Sequence, residues 1–186
     1  MAKLNLMLAP DATSGKESEY IYGVRNNRMY FYRRPDRDSI TAGQQEVRRA
    51  FRRAAEYAKA AKADPELRAF YEGLAAARGV RLHTLIMTDS LRPPEVESID
   101  LGGFKGMIGD PVQVVALDDV GVVSVSVEIH AADGTLLEQG PAAYDPVSLK
   151  WVYAATAAHP TGTPVTITAT AVDRPGGRGS KFETWS

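Results

Sequence analysis

The chain has 186 residues, 44% of them apolar, and a formal net charge of −1. That is ordinary for one large or two small globular domains, and it excludes a polyelectrolyte. The absence of cysteine excludes disulfides, thiolate metal sites and cysteine nucleophiles.

The first ten residues carry one lysine and a short apolar run broken by Asn5. A secretory signal needs an apolar core of about 7–15 residues. No stretch approaches the roughly 20 residues of a membrane span. The sequence therefore reads as cytoplasmic, with no membrane association. Its charge is unevenly placed. Nine arginines face three acids between Tyr22 and Arg53, a net +6, whereas nine acids face Lys105 between Glu95 and Gly140, a net −8. Such asymmetry fits an anionic partner for the front half, or mutual attraction of the two halves.

Residues 10–18 are loop-like. Tyr20 to Tyr32 follow, with Asn26 and Asn27 at the centre. Asparagine tolerates positive φ, so the pair suits a two-residue hairpin turn. In that register Val24 faces Met29 and Tyr22 faces Phe31, predicting a β-hairpin. Thr41 and Gln44 have the spacing of a capping box. Val47, Phe51, Ala54, Ala58 and Ala61 then recur every three or four residues, which predicts one apolar helical stripe. Asp64, Pro65 and Glu66 read as cap, first-turn proline and first-turn acid of a second helix. Leu67, Phe70, Tyr71 and Leu74 form its apolar side, and Gly79 ends it. Residues 82–91, apolar at Leu82, Leu85, Ile86 and Leu91, suit either a third helix or a strand.

Pro93–Pro94 reads as a stiff extended spacer, dividing the chain into 1–92 and 93–186. Seven strands are predicted beyond it, near 95–101, 111–117, 122–130, 135–139, 149–156, 165–172 and 180–185. Two of them alternate cleanly. Val123, Val125, Val127 and Ile129 are interleaved with Ser124, Ser126, Glu128 and His130. Val165, Ile167, Ala169 and Ala171 are interleaved with threonines. Seven short strands separated by frequent turns fit an immunoglobulin-like sandwich. The fold class expected is α+β: an N-terminal β-hairpin plus helical hairpin, followed by a C-terminal all-β Ig-like sandwich.

Asp118 through Val127, Asp133–Gly134, Trp151 to Tyr153 and Thr168 to Asp173 together resemble bacterial immunoglobulin-like modules. The resemblance covers the C-terminal half and implies a fold more than a function. The whole chain resembles uncharacterised bacterial proteins that carry an N-terminal Arg-rich helical segment. No cysteine pair is present, a departure from antibody-type domains.

Trp151 alternates with Leu149 and Tyr153, so it is either core filler or an aromatic platform for a sugar or peptide. Trp185 is placed to cover the sandwich or to stand exposed. Asp118, Asp119 and Asp173 fall in loops at one end of such a sandwich, beside the linker at Glu95. Converging carboxylates are the ligands calcium takes, and turn-capping by Asp is the simpler alternative. Arg48, Arg49, Arg52 and Arg53 form a basic arc opposite the apolar stripe, suited to a polyanion or to interdomain contact with the acidic half. No nucleic-acid motif accompanies the arc, so nucleic acid is not the expected partner. His83, His130 and His159 lack ligand-spaced partners, and no nucleophile-elbow, metalloprotease or phosphate-loop pattern occurs. The expected function is a non-enzymatic protein-interaction or structural module without cofactor or metal, binding protein or itself. Polyanion or carbohydrate binding is the alternative.

Overall fold

The computed structural model describes residues 20–25 and 28–33 as backbone, and residues 40–160 and 162–186 in full. The loop expected at 10–18 and the turn at Asn26–Asn27 lie outside these described residues. The chain forms two compact units, Met1–Glu46 and Val47–Ser186. The boundary expected at Pro93–Pro94 falls inside the second.

In the first unit β1 (Tyr20–Arg25) pairs antiparallel with β2 (Arg28–Arg33). Val24 lies opposite Met29 and Tyr22 opposite Phe31, the register expected from the Asn pair.

Three helices follow: α1 (Ala42–Ala63), α2 (Pro65–Arg78) and α3 (Leu82–Leu91). At the start of α1 the Thr41 N–H donates to Gln44 Oε1 at 3.2 Å and the Gln44 N–H to Thr41 Oγ1 at 3.3 Å, a closed capping box. Asp64 starts α2 by accepting from the N–H groups of Glu66 and Leu67 at 2.9 and 3.0 Å. Gly79 ends it at φ 65°, where a Cβ would be strained. Ala58, Ala61, Tyr71, Ala75, Leu85 and Ile86 make a small helical core. The apolar stripe of α1 is buried only from Ala54 onward. Val47 and Phe51 are more than half exposed, because the helix reaches its neighbours only in its second half. Residues 82–91 resolve as helix.

The remaining strands are β3 (Glu95–Asp100), β4 (Pro111–Leu117), β5 (Val122–Ala131), β6 (Leu136–Asp145), β7 (Lys150–Ala154), β8 (Val165–Asp173) and β9 (Arg178–Trp185). They form one seven-stranded antiparallel sheet in the order β3-β4-β7-β6-β5-β8-β9. This corrects the expected Ig-like sandwich: the sheet is continuous and nearly closes into a barrel. Strand number, turn spacing and alternation are common to sandwiches and barrels, so the sequence pattern does not separate them. β6 decides the outcome. The strand expected at 135–139 runs on through Gly140 and Pro141 to Asp145. It pairs with β5 over Leu136–Ala142 and with β7 over Ala143–Asp145, so no gap divides the sheet.

The edge strands β3 and β9 then meet. Lys181 Nζ donates to Glu97 O at 2.8 Å. A Cβ on Gly179 would lie 1.8 Å from Pro94 O, so β9 approaches this closely only as glycine. Inside the sheet, Val112, Val114, Val125, Val127, Ile129, Val165, Ile167, Ala169 and Ala171 are all buried. Each large aliphatic side chain contributes about 1.5–3 kcal/mol on burial. Val123 breaks the expected alternation. A bulge between Val122 and Ser124 turns Val122 toward the core and leaves Val123 half exposed.

Candidate functional site

The helices dock on one end of the sheet, and the charged residues concentrate there. Val120, in the loop between β4 and β5, packs against the helical core. Arg78 at the end of α2 donates to Asp119 O at 2.7 Å, and Arg92 after α3 pairs with the Asp119 carboxylate at 2.9 Å. Arg174, just past β8, sits 4.1 Å over the Phe70 ring, a cation–π contact.

Three carboxylates occupy this junction: Asp89 from α3, Asp118 from the β4–β5 loop and Asp173 from the end of β8. Asp89 is 1% exposed and Asp173 4%. Asp118 accepts from the N–H groups of Val120 and Gly121 at 2.9 and 2.7 Å, and Asp173 from Gly177 N–H at 2.5 Å. Each of the three keeps one buried oxygen with no hydrogen-bond partner: Asp89 Oδ1, Asp118 Oδ1 and Asp173 Oδ2. Their mutual repulsion is felt. Burial pushes the Asp89 carboxyl up to about 6, against the hydrogen bond from Tyr71, and the charges of Asp118 and Asp173 add to the rise. Burial raises Asp173 as well, with Asp118 contributing.

A chain of hydroxyls leads out from Asp89. Tyr71 donates to Asp89 Oδ2, and the Tyr57 and Tyr71 hydroxyls are 3.0 Å apart. Tyr57 in turn lines a cleft of about 530 Å3 between α1, the end of α3 and the β8–β9 turn. Arg53, Ser90, Pro93, Gly177 and Arg178 also line it.

Of the calcium candidates, Asp119 is engaged by Arg92, while Asp118 and Asp173 cap their own turns. Among the described residues, no group of three or more His, Asp or Glu side chains is spaced to hold a metal ion. Of the arginine arc, Arg48, Arg49 and Arg52 are exposed on α1, and Arg53 alone borders the cleft. The contacts to the acidic loop come instead from Arg78 and Arg92.

A buried carboxylate–imidazole contact lies elsewhere, beside β6. Glu138 on β6 and His159 meet at 2.7 Å, with both side chains 4% exposed. Tyr153 OH, the Thr156 N–H and hydroxyl, and the Ala157 N–H also donate to Glu138 Oε2. Burial pushes this carboxyl up, but the His159, Thr156 and Tyr153 hydrogen bonds outweigh it and hold the carboxyl below the ordinary value. The His159 N–H donates to Gly106 O at 2.7 Å. Phe104 packs near the His159 ring, and Trp185 meets Phe104 edge-on at 5.1 Å. Trp185 thus covers this corner and is half-buried. Trp151 is half-buried too, its ring 5.2 Å from that of Tyr144.

Asp89, Tyr57 and Glu138 escaped the sequence reading. Asp89 follows Leu85 and Ile86 at spacings of four and three, so a helical assignment alone puts it on the buried face.

No protein-family description matches the chain, and no curated protein matches it. A crystal structure described as an engineered protein is similar at 23% identity and a TM-score of 0.34. The match covers 50% of this chain and 20% of that one. At that score the likeness bears on neither fold nor function. Among the described residues, no helix is long and apolar enough to cross a membrane.

Proposed function

We propose that the chain is a non-enzymatic protein-interaction module whose contact surface is the tip of the β6–β7 hairpin. The observation that carries this reading is Leu149. It is 67% exposed and holds φ 58°, a left-handed conformation uncommon for any residue but glycine and asparagine. A strained backbone that places a leucine in water is unrewarded in the isolated fold. Val147 beside it is 90% exposed, and Tyr144 stands half exposed against Trp151. Asp145 holds the turn by accepting from Val147 N–H at 3.0 Å and from the Ser148 hydroxyl at 2.6 Å. A fixed apolar tip loses little entropy on binding, and aromatic side chains are enriched at such contacts.

The test combines two readouts on the wild type and a Val147→Asp/Leu149→Asp variant. Light scattering follows mass up to about 100 µM, a range that detects weak dimers. A photoreactive residue at the exposed turn position 146, present in both proteins, reports any protein held there in cells. A specific dimer or a single discrete adduct, lost in the variant, supports the reading. A wild type that stays monomeric and unlinked refutes it.

A further inference from the structure

The cleft bordered by Arg53, Tyr57 and Arg178 has a donor–acceptor pattern that defines what it can hold, independently of the hairpin tip. Among the described residues Arg68 and Arg92 are engaged by carboxylates and Arg174 by a ring, whereas neither Arg53 nor Arg178 has an ion-pair partner. Two arginines from different elements, α1 and β9, thus border one concavity. They supply donors and positive charge.

Tyr57 supplies the opposite. A hydroxyl has one hydrogen to give. Tyr71 gives its hydrogen to Asp89. In the 3.0 Å contact between the two hydroxyls, Tyr57 must therefore be the donor and Tyr71 the acceptor. The hydrogen of Tyr57 is committed inward, and its oxygen retains only acceptor capacity. Behind this wall stand the carboxylates of Asp89 and Asp173, which penalise a bare multiply charged anion. A cleft of about 530 Å3 is within the size range of small-molecule sites.

We propose that the cleft binds a small hydroxylated anion, a phosphate or carboxylate with an O–H group at or beside its charge. Arg53 and Arg178 hold the anionic group, and the Tyr57 oxygen accepts from the hydroxyl. Such an occupant satisfies both signs of the wall. An anion of equal charge without a hydrogen leaves the Tyr57 oxygen facing a second acceptor.

Matched pairs of probes test this by calorimetry at pH 8: inorganic phosphate against sulfate, and lactate against propionate. Hydrogen phosphate and sulfate share charge and shape and differ in one hydrogen. The hydroxylated member of at least one pair should bind about tenfold tighter than its match, the worth of one good hydrogen bond to a buried network. The pair that responds tells whether the anion is of the phosphate or the carboxylate kind. Arg53→Gln and Arg178→Gln should each weaken that binding about tenfold, as expected for a charge-assisted contact. Tyr57→Phe, which keeps the ring, should retain weak binding and lose the preference within the pair. Thermal melts confirm that each variant is folded. Equal binding within both pairs, no binding of any probe, or a preference that survives Tyr57→Phe in a folded protein overturns the proposal.

Discussion

Replacing Asp89 by Asn should make the protein more stable at pH 8 and leave it nearly unchanged at pH 4. The carboxyl is 1% exposed, and Oδ1 has no partner. It titrates near 6 in the folded chain against 3.8 in a solvated one. A raised acid binds more protons folded than unfolded between those two values, so its contribution to stability falls as pH climbs from 3.8 to 6 and is flat above. Holding the ionised form costs about 3 kcal/mol at neutral pH, at 1.36 kcal/mol per pH unit. Asparagine removes that cost. Its oxygen can still accept from Tyr71, and its NH2 takes the place of the orphaned Oδ1 in a region that holds the unpaired oxygens of Asp118 and Asp173. Urea unfolding of wild type and Asp89→Asn at pH 4, 5, 6, 7 and 8 reads the difference directly. A gain that grows by about 2–3 kcal/mol across this range is expected. A variant destabilised equally at every pH would refute the reasoning and make Asp89 a conventionally satisfied buried group.

Other predictions follow from the same geometry. Glu138→Ala leaves His159 Nε2, Tyr153 OH and the Thr156 hydroxyl without their acceptor, so denaturant melts should show a loss of about 3–5 kcal/mol. The Glu138 carboxyl is held below its ordinary 4.5, so its contribution is present above that pH and is lost as pH falls through the lowered folded value. Glu138→Gln should therefore flatten the acid limb of the wild-type stability profile. Gly106→Ala sets a Cβ 2.1 Å from His159 O and 2.7 Å from the Trp185 ring at φ 81°, and thermal unfolding should show a loss of about 3 kcal/mol or more. Trp151→Ala should cost about 2 kcal/mol, less than for a fully buried ring, because the indole is half-buried against the sheet core. A change below about 0.5 kcal/mol would place the ring outside the core.

The strands and helices were largely legible because each is governed by neighbours in sequence. Alternation located β5 and β8, and the Thr41, Asp64 and Gly79 caps located helix ends. What escaped depends on residues far apart along the chain. Whether the sheet splits or closes rests on β6 continuing past Pro141 and on β9 reaching β3, and no local pattern encodes either. Glu138 reads as a surface acid until His159, 21 residues later, turns out to be its partner. Val123 fits its period, and only the bulge set by pairing with β8 expels it. The arginine arc was visible as composition, yet the arginines that reach the acidic loop, Arg78 and Arg92, lie outside it.

The meeting of β3 with β9 also dictates an order of events during synthesis. β3 emerges right behind the helices, but the strand that closes the sheet against it begins only at Arg178. The caps of α2 are local and can form as soon as that segment is available. The sheet must wait with its β3 edge unsheltered while some 80 residues are added, a long interval at ribosomal speeds of about 5–20 residues per second. Until then the row of backbone groups along β3 is a template for a foreign strand. The charges of Glu95, Glu97 and Asp100 along β3 resist that pairing in the interim. On this view, part of the acidity of the second half serves the nascent chain more than the finished one.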